Sequence, residues 1–183
     1  MKHLIILCLM FSFFTSSQNI NQENSQSLHD FKAELINGEI FDFSTLKGKK
    51  VMIVNTASGC GLTPQYKTLE SLYQDYRDLG FEIIAFPSNN FANQESGSNE
   101  EIKIFCSTNY KISFILMSKI EVKGENIHPI YKWLTSKELN GKMNSSVKWN
   151  FQKYLINEDG YLETYYYPYT SPASKKIINW IKK

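Results

Sequence analysis

Residues 51–65 read "VMIVNTASGCGLTPQ", and the order of events within them decides the fold. The near-continuous apolar run "KVMIVNTAS" predicts a strand buried on both faces, the kind found inside a parallel sheet. The chain then turns at Gly59-Cys60-Gly61. Glycines on both sides leave the sulfur uncrowded, and the cysteine stands just past the apolar run instead of inside it. Thr63 and Pro64 follow, predicting a helix with Thr63 as N-cap and Pro64 at its first position. A strand, a cysteine in a glycine turn and a helix N-terminus in succession favour a thiolate. The N-terminus of a helix carries about half a positive charge and spare N–H donors.

Outward from this core the pattern continues. Tyr66, Leu69, Leu72, Tyr73, Tyr76 and Leu79 recur at helical spacing, and Gly80 closes the helix. "FEIIAFP" predicts a second buried strand and "SNNFANQESGS" a loop. "NEEIKIFCSTNY" predicts a helix with acidic residues at its start, and "HPIYKWLTSK" another, beginning near His128. Upstream, "FKAELINGEIFDF" alternates around Asn37-Gly38, the signature of a β-hairpin. Downstream, "FQKYLINEDGYLETYYY" predicts a hairpin turning at "EDG", and "SPASKKIINWIKK" a terminal amphipathic helix. The expected fold is α/β and thioredoxin-like: a mixed central sheet with flanking helices and an N-terminal β-hairpin.

The chain has 183 residues, of which 42% are hydrophobic, enough for one domain with a proper core. Its net charge of +2, with no Lys/Arg cluster, argues against a nucleic-acid partner. Met1-Lys2-His3, the apolar stretch Leu4 to Phe14 and the small residues Thr15 and Ser17 form the three-part pattern of a secretory signal peptide, residues 1–17. A buried N-terminal helix is the alternative. The stretch falls short of the roughly 20 residues a membrane span needs, so stable membrane association is not expected. Residues 18–27 are polar and read as a disordered lead-in to a domain over 28–183. The protein is thus expected to be exported, to the periplasm or beyond the cell. Cys8 leaves with the peptide, and Cys60 and Cys106 remain. Counting leaves open whether they form a structural disulfide or a pair that alternates during turnover.

"VNTASGCGLTPQYKTLESLYQDYRDLGFEIIAFP", then "NQESGSNEEI" and later "VKWNFQKYLI", together resemble the glutathione peroxidase family across nearly the whole chain from about residue 30. The resemblance implies a thiol-dependent peroxidase that reduces hydrogen peroxide and organic hydroperoxides through a cysteine sulfenic acid. It implies Cys60 as the peroxidatic residue, assisted by Gln94, Trp149 and Asn150, with no metal, haem, flavin or nicotinamide cofactor. The chemistry is coherent with those residue types. Two amides and an indole N–H are neutral donors that can stabilise negative charge on sulfur and oxygen.

The resemblance also bears on the reductant. Family members with long insertions before the Trp-Asn pair tend to be tetrameric and to use glutathione. The short "TSKELNGKMNSS" is similar to that of monomeric, often thioredoxin-dependent members. Their resolving cysteine lies in the helix after "NEEI", close to though not at Cys106, which makes Cys106 the candidate resolving thiol. Many members carry a cysteine and a glutamine where Ser88 and Asn90 stand, many a basic or polar residue at Gly59 and some a proline at Ile115. The competing expectation is a thioredoxin-fold thiol–disulfide carrier or a non-catalytic binding module. The absence of a second cysteine in "CGLT" speaks against a carrier.

Overall fold

A computed structural model describes residues 25–183. The expected signal peptide (1–17) and most of the lead-in (18–27) lie outside the described residues. At the described end of the lead-in the chain is held. Gln26 donates from its N–H to the Leu139 carbonyl, and its own carbonyl accepts from the Trp133 indole at 2.8 Å.

The expected N-terminal hairpin is present as β1 (Lys32–Glu34) and β2 (Ile40–Asp42), antiparallel, turning at Asn37-Gly38 with Gly38 at φ 88°. The central sheet is built from β3 (Lys50–Thr56), β4 (Phe81–Pro87), β5 (Ile115–Leu116), β6 (Lys153–Ile156) and β7 (Leu162–Tyr166), in the order β5-β4-β3-β6-β7. β3, β4 and β5 run parallel, β6 is antiparallel to β3, and β7 is antiparallel to β6 and so runs the same way as β3. The sheet is therefore mixed. The hairpin is joined to the β5 edge by a bridge from Leu35 to Met117, by the Ile36 N–H donating to the Leu116 carbonyl and by the Ser118 N–H donating to the Glu34 carbonyl.

β3 and β4 are buried along almost their whole length, which is why both read as continuous apolar runs. Their successive side chains divide between two cores, as the period of two requires. Val51 and Ile53 join Ile130, Tyr131 and Trp133 of α3 (Pro129–Thr135) on one face. Met52 and Val54 join α1 (Gln65–Tyr76), α2 (Asn99–Asn109) and α5 (Lys175–Ile181) on the other. A further short helix, α4 (Lys137–Asn140), follows α3.

Two local expectations are corrected, and one strand is added. Thr63 does not cap α1: the helix starts at Gln65 behind a series of turns, with Pro64 in the N-cap position. The Thr63 hydroxyl is engaged elsewhere, donating to the Ala57 carbonyl at 2.8 Å. Leu79 does not belong to the buried stripe. After Tyr76 the chain tightens into a 3₁₀ turn closed by left-handed Gly80, which turns Leu79 outward to 70% exposure. β5 has only two residues, too few to show a period in the sequence.

Candidate active site

Cys60 sits in the turn between the C-terminal end of β3 and the start of α1, free and 7% exposed. The turn is tied at several points. The Cys60 N–H donates to the Thr63 hydroxyl at 3.0 Å, and Thr63 in turn holds the Ala57 carbonyl. The Leu62 N–H donates to Cys60 Sγ at 3.4 Å, so a backbone donor already faces negative charge on the sulfur.

Gln94 approaches from the loop after β4. Its carbonyl accepts from the Gly59 N–H at 2.9 Å. A Cβ at position 59 would lie 3.1 Å from that carbonyl oxygen, so glycine there permits the close approach of the two loops. Ala92 and Asn93 both adopt left-handed φ, 51° and 52°, a conformation that side chains other than glycine favour little. They bend the loop so that Gln94 meets Asn150. Asn150 Nδ2 donates to Gln94 Oε1 at 3.0 Å. With its oxygen engaged, the Gln94 amide keeps its own two N–H groups for another acceptor.

Asn150 is fully buried, and its Oδ1 has no partner among the described residues. Phe151, at φ 67°, turns the chain sharply after it, while the Phe151 N–H donates to the Asn55 carbonyl of β3. The Trp149 carbonyl accepts from Asn55 Nδ2 at 3.1 Å. The Trp149 ring is half-buried, packs on Phe91 with centroids 5.4 Å apart, and borders the apolar cluster that contains Cys60. The Cys60 turn, the Gln94 loop and the Trp149-Asn150 loop are thus bound to one another by direct bonds. β3 supplies the anchor for two of them.

Cys106 lies on the buried face of α2, 1% exposed and free. Burial pushes its thiol up to about 11. It shares the apolar cluster of Cys60 and lines a cavity of about 330 Å³ between α2 and the β1–β2 hairpin, with Leu35, Lys103 and Phe114. Ser88 is fully buried and donates to Asn90 Oδ1 at 3.0 Å, while the same Oδ1 accepts from the Val122 N–H. Those two residues brace the loop that carries Gln94. His128 caps α3 as expected from its place before Pro129. Asn144 is exposed and accepts from the Lys137 N–H.

Two residues of this site carry no signal of their own in the sequence. Ser58 donates to Glu95 Oε1 at 2.6 Å, and Glu95 is fully buried. Burial raises the Glu95 carboxyl above the ordinary carboxylate range, with the Ser58 bond opposing. Among the described residues no group of three or more His, Cys, Asp or Glu side chains is placed to hold a metal ion. No helix among them is long and apolar enough to cross a membrane.

Comparison with known proteins identifies the family and the fold. A family model described as glutathione peroxidase matches residues 28–135. A glutathione peroxidase of Lactococcus lactis is 47% identical over 146 residues, covering 80% of this chain and 92% of that protein. The glutathione peroxidase-like peroxiredoxin HYR1 of Saccharomyces cerevisiae is 50% identical over 137 residues, covering 75% and 84%. Among solved structures, Trgpx in its apo form superposes with a TM-score of 0.67 at 39% identity, covering 86% of this chain and 97% of that one.

Proposed function

The chain belongs to the glutathione peroxidase family, and from that premise we propose that Cys60 is its peroxidatic nucleophile, served by Gln94, Trp149 and Asn150. The protein is a thiol-dependent peroxidase, an oxidoreductase of the thioredoxin fold. The observation that carries the residue assignment is the bonded junction at the end of β3. One thiol, a backbone N–H aimed at its sulfur and a bridged Gln94–Asn150 amide pair meet there.

The reaction follows from those groups. The Cys60 thiolate attacks one oxygen of the peroxide. The S–O bond forms as the O–O bond breaks, sulfur is oxidised by two electrons, and water or an alcohol departs once protonated. The Leu62 N–H faces charge on sulfur, and the role assigned to the amide and indole donors is to meet charge developing on oxygen. This step needs no histidine base.

We further propose that Cys106 resolves the sulfenic acid, giving a Cys60–Cys106 disulfide that a thioredoxin-like protein reduces. Membership of one apolar cluster by both thiols supports this. Because Cys106 is buried on α2, the step calls for local opening of that helix, an event of the low-stability kind catalytic segments use. The short segment before Trp149 supports a monomer, and the N-terminal pattern supports export, where glutathione is scarce. The test is peroxide turnover with thioredoxin and its reductase against turnover with glutathione, combined with mass mapping of the oxidised protein. Faster turnover with thioredoxin and a mapped Cys60–Cys106 bridge are expected. A stable Cys60 sulfinic acid beside free Cys106, with glutathione the better donor, would assign a one-cysteine cycle instead.

A further inference from the structure

The proposed reaction leaves one proton unaccounted for. Attack on a peroxide expels hydroxide or alkoxide, conjugate bases of acids with pKa near ~15.7 for water, so the departing oxygen must be protonated as it leaves. Gln94, Asn150 and Trp149 donate hydrogen bonds but cannot give up a proton near neutral pH. Beside them stands a group that can.

Glu95 follows Gln94 directly and is fully withdrawn from solvent. Among the described residues no cation is bonded to its carboxylate. The Lys119 charge opposes the upward shift, but its ammonium is spent on the backbone carbonyls of Glu95 and Gly97. Among the described residues the carboxylate is bonded by Ser58 alone, and Oε2 is buried with no partner. A bare carboxylate in such a place is costly, whereas the neutral acid fits it. As an acid, Glu95 reverses the 2.6 Å bond and donates to Ser58 Oγ, freeing the Ser58 hydroxyl proton. Ser58 is half-buried, two residues before Cys60 on the same turn. One hydroxyl on the nucleophile turn is thus bonded to a buried acid and is itself only partly withdrawn from solvent. The remaining titratable groups in electrostatic reach, Tyr66 and Cys106, are held in their protonated forms by burial.

Resting on the assignment of Cys60 as nucleophile, we propose that Ser58 and Glu95 form a proton inlet to the reacting peroxide. Ser58 protonates the departing oxygen and Glu95 resupplies Ser58. The balance is complete. Cys60 thiolate and HO–OR give Cys60–SOH and RO⁻, RO⁻ takes the Ser58 proton, and Ser58 takes the Glu95 proton. Glu95 is then reprotonated from solvent through the same hydroxyl. Glu95 acts through Ser58 and is a positioning and proton-storing residue, not one that touches the peroxide.

The leaving group provides the test. Peracetic acid expels acetate, whose conjugate acid has an ordinary carboxylic pKa of about 4, and so needs no proton in flight. Stopped-flow rates of Cys60 oxidation are measured for wild type, Glu95→Gln and Ser58→Ala with hydrogen peroxide, tert-butyl hydroperoxide and peracetic acid. Both variants should lose on the order of 10²-fold with the first two oxidants, and keep the wild-type rate with the peracid. An equal fall with all three oxidants, or no fall with any, overturns the inlet. Glu95→Gln retains an acceptor for Ser58, and the peracid rate reports on the intact turn in the same sample. A wild-type protein inert to every oxidant would defeat the peroxidase assignment itself, a different outcome.

Discussion

At Gln94 the backbone arrives through two left-handed residues, and the side chain leaves with its oxygen already held by Asn150. Each left-handed Ala or Asn costs about 1 kcal/mol, a cost that persists because Ser88, Asn89, Asn90 and Gly59 fix the loop from both ends. Strain spent to aim one amide is consistent with that amide serving the reaction. Replacing Gln94 by Ala removes one donor and should slow oxidation of Cys60 by hydrogen peroxide on the order of 10²-fold. Asn150→Ala should do the same and also free Gln94 to rotate. Stopped-flow rates with circular dichroism on the same samples check this, and wild-type rates in both variants would reduce the pair to loop braces. Cys60 itself was legible in the sequence, since glycines and the end of an apolar run mark it locally. Ser58 and Glu95 were not, because their bond joins positions 37 apart and neither residue is unusual in its own loop.

Elements meet around Lys153 in a way no periodicity announces. It lies on β6 opposite Val54 of β3, fully buried, and its ammonium donates to Gln65 Oε1, to the Pro168 carbonyl at 2.9 Å and to the Thr170 carbonyl at 2.8 Å. One side chain thereby joins β6, the first turn of α1 and the connection from β7 to α5, stiffening the helix start behind Cys60. Burial lowers the Lys153 ammonium from 10.5 to about 7. Between about 7 and 10.5 the unfolded chain therefore holds a proton that the folded one has released, and stability rises with pH through that window. Cys106 opposes this above its ordinary value of 9.0, because the folded protein keeps that thiol protonated. The clean interval is pH 7 to about 8.5. There the urea midpoint of wild type should climb relative to Lys153→Met. A constant gap would mean that Lys153 stays charged throughout. The buried runs of β3 and β4 made the sheet readable, and the Asn37-Gly38 turn made the hairpin readable. Thr63 misled because Thr-Pro is a familiar helix start, while its hydroxyl is drawn back to Ala57 by the need to close the cysteine turn.

Across the whole molecule, the mixed sheet explains why the site lies where it does. β3 is central, flanked by parallel β4 and antiparallel β6, so the loops after β3 and β4 and before β6 open at the same edge. Cys60, Gln94 and Asn150 each come from one of those loops. That convergence follows from strand direction and order, and the sequence carried it only through three separated motifs resembling one family. The assignment of helices to faces was likewise beyond a reading of periods, which shows that a helix has an apolar side and not which sheet face receives it. The central claim, that this architecture exists to present the Cys60 thiolate to a peroxide, is tested most directly by a single turnover. Reduced protein receives one equivalent of hydrogen peroxide in the presence of a sulfenic-acid trap, and each thiol is then mapped by mass. The account predicts that Cys60 is consumed, either trapped as the sulfenic acid or bridged to Cys106, and that Cys60→Ser leaves Cys106 untouched. Cys60 recovered as a free thiol, or peroxide consumed as fast by Cys60→Ser, would contradict it.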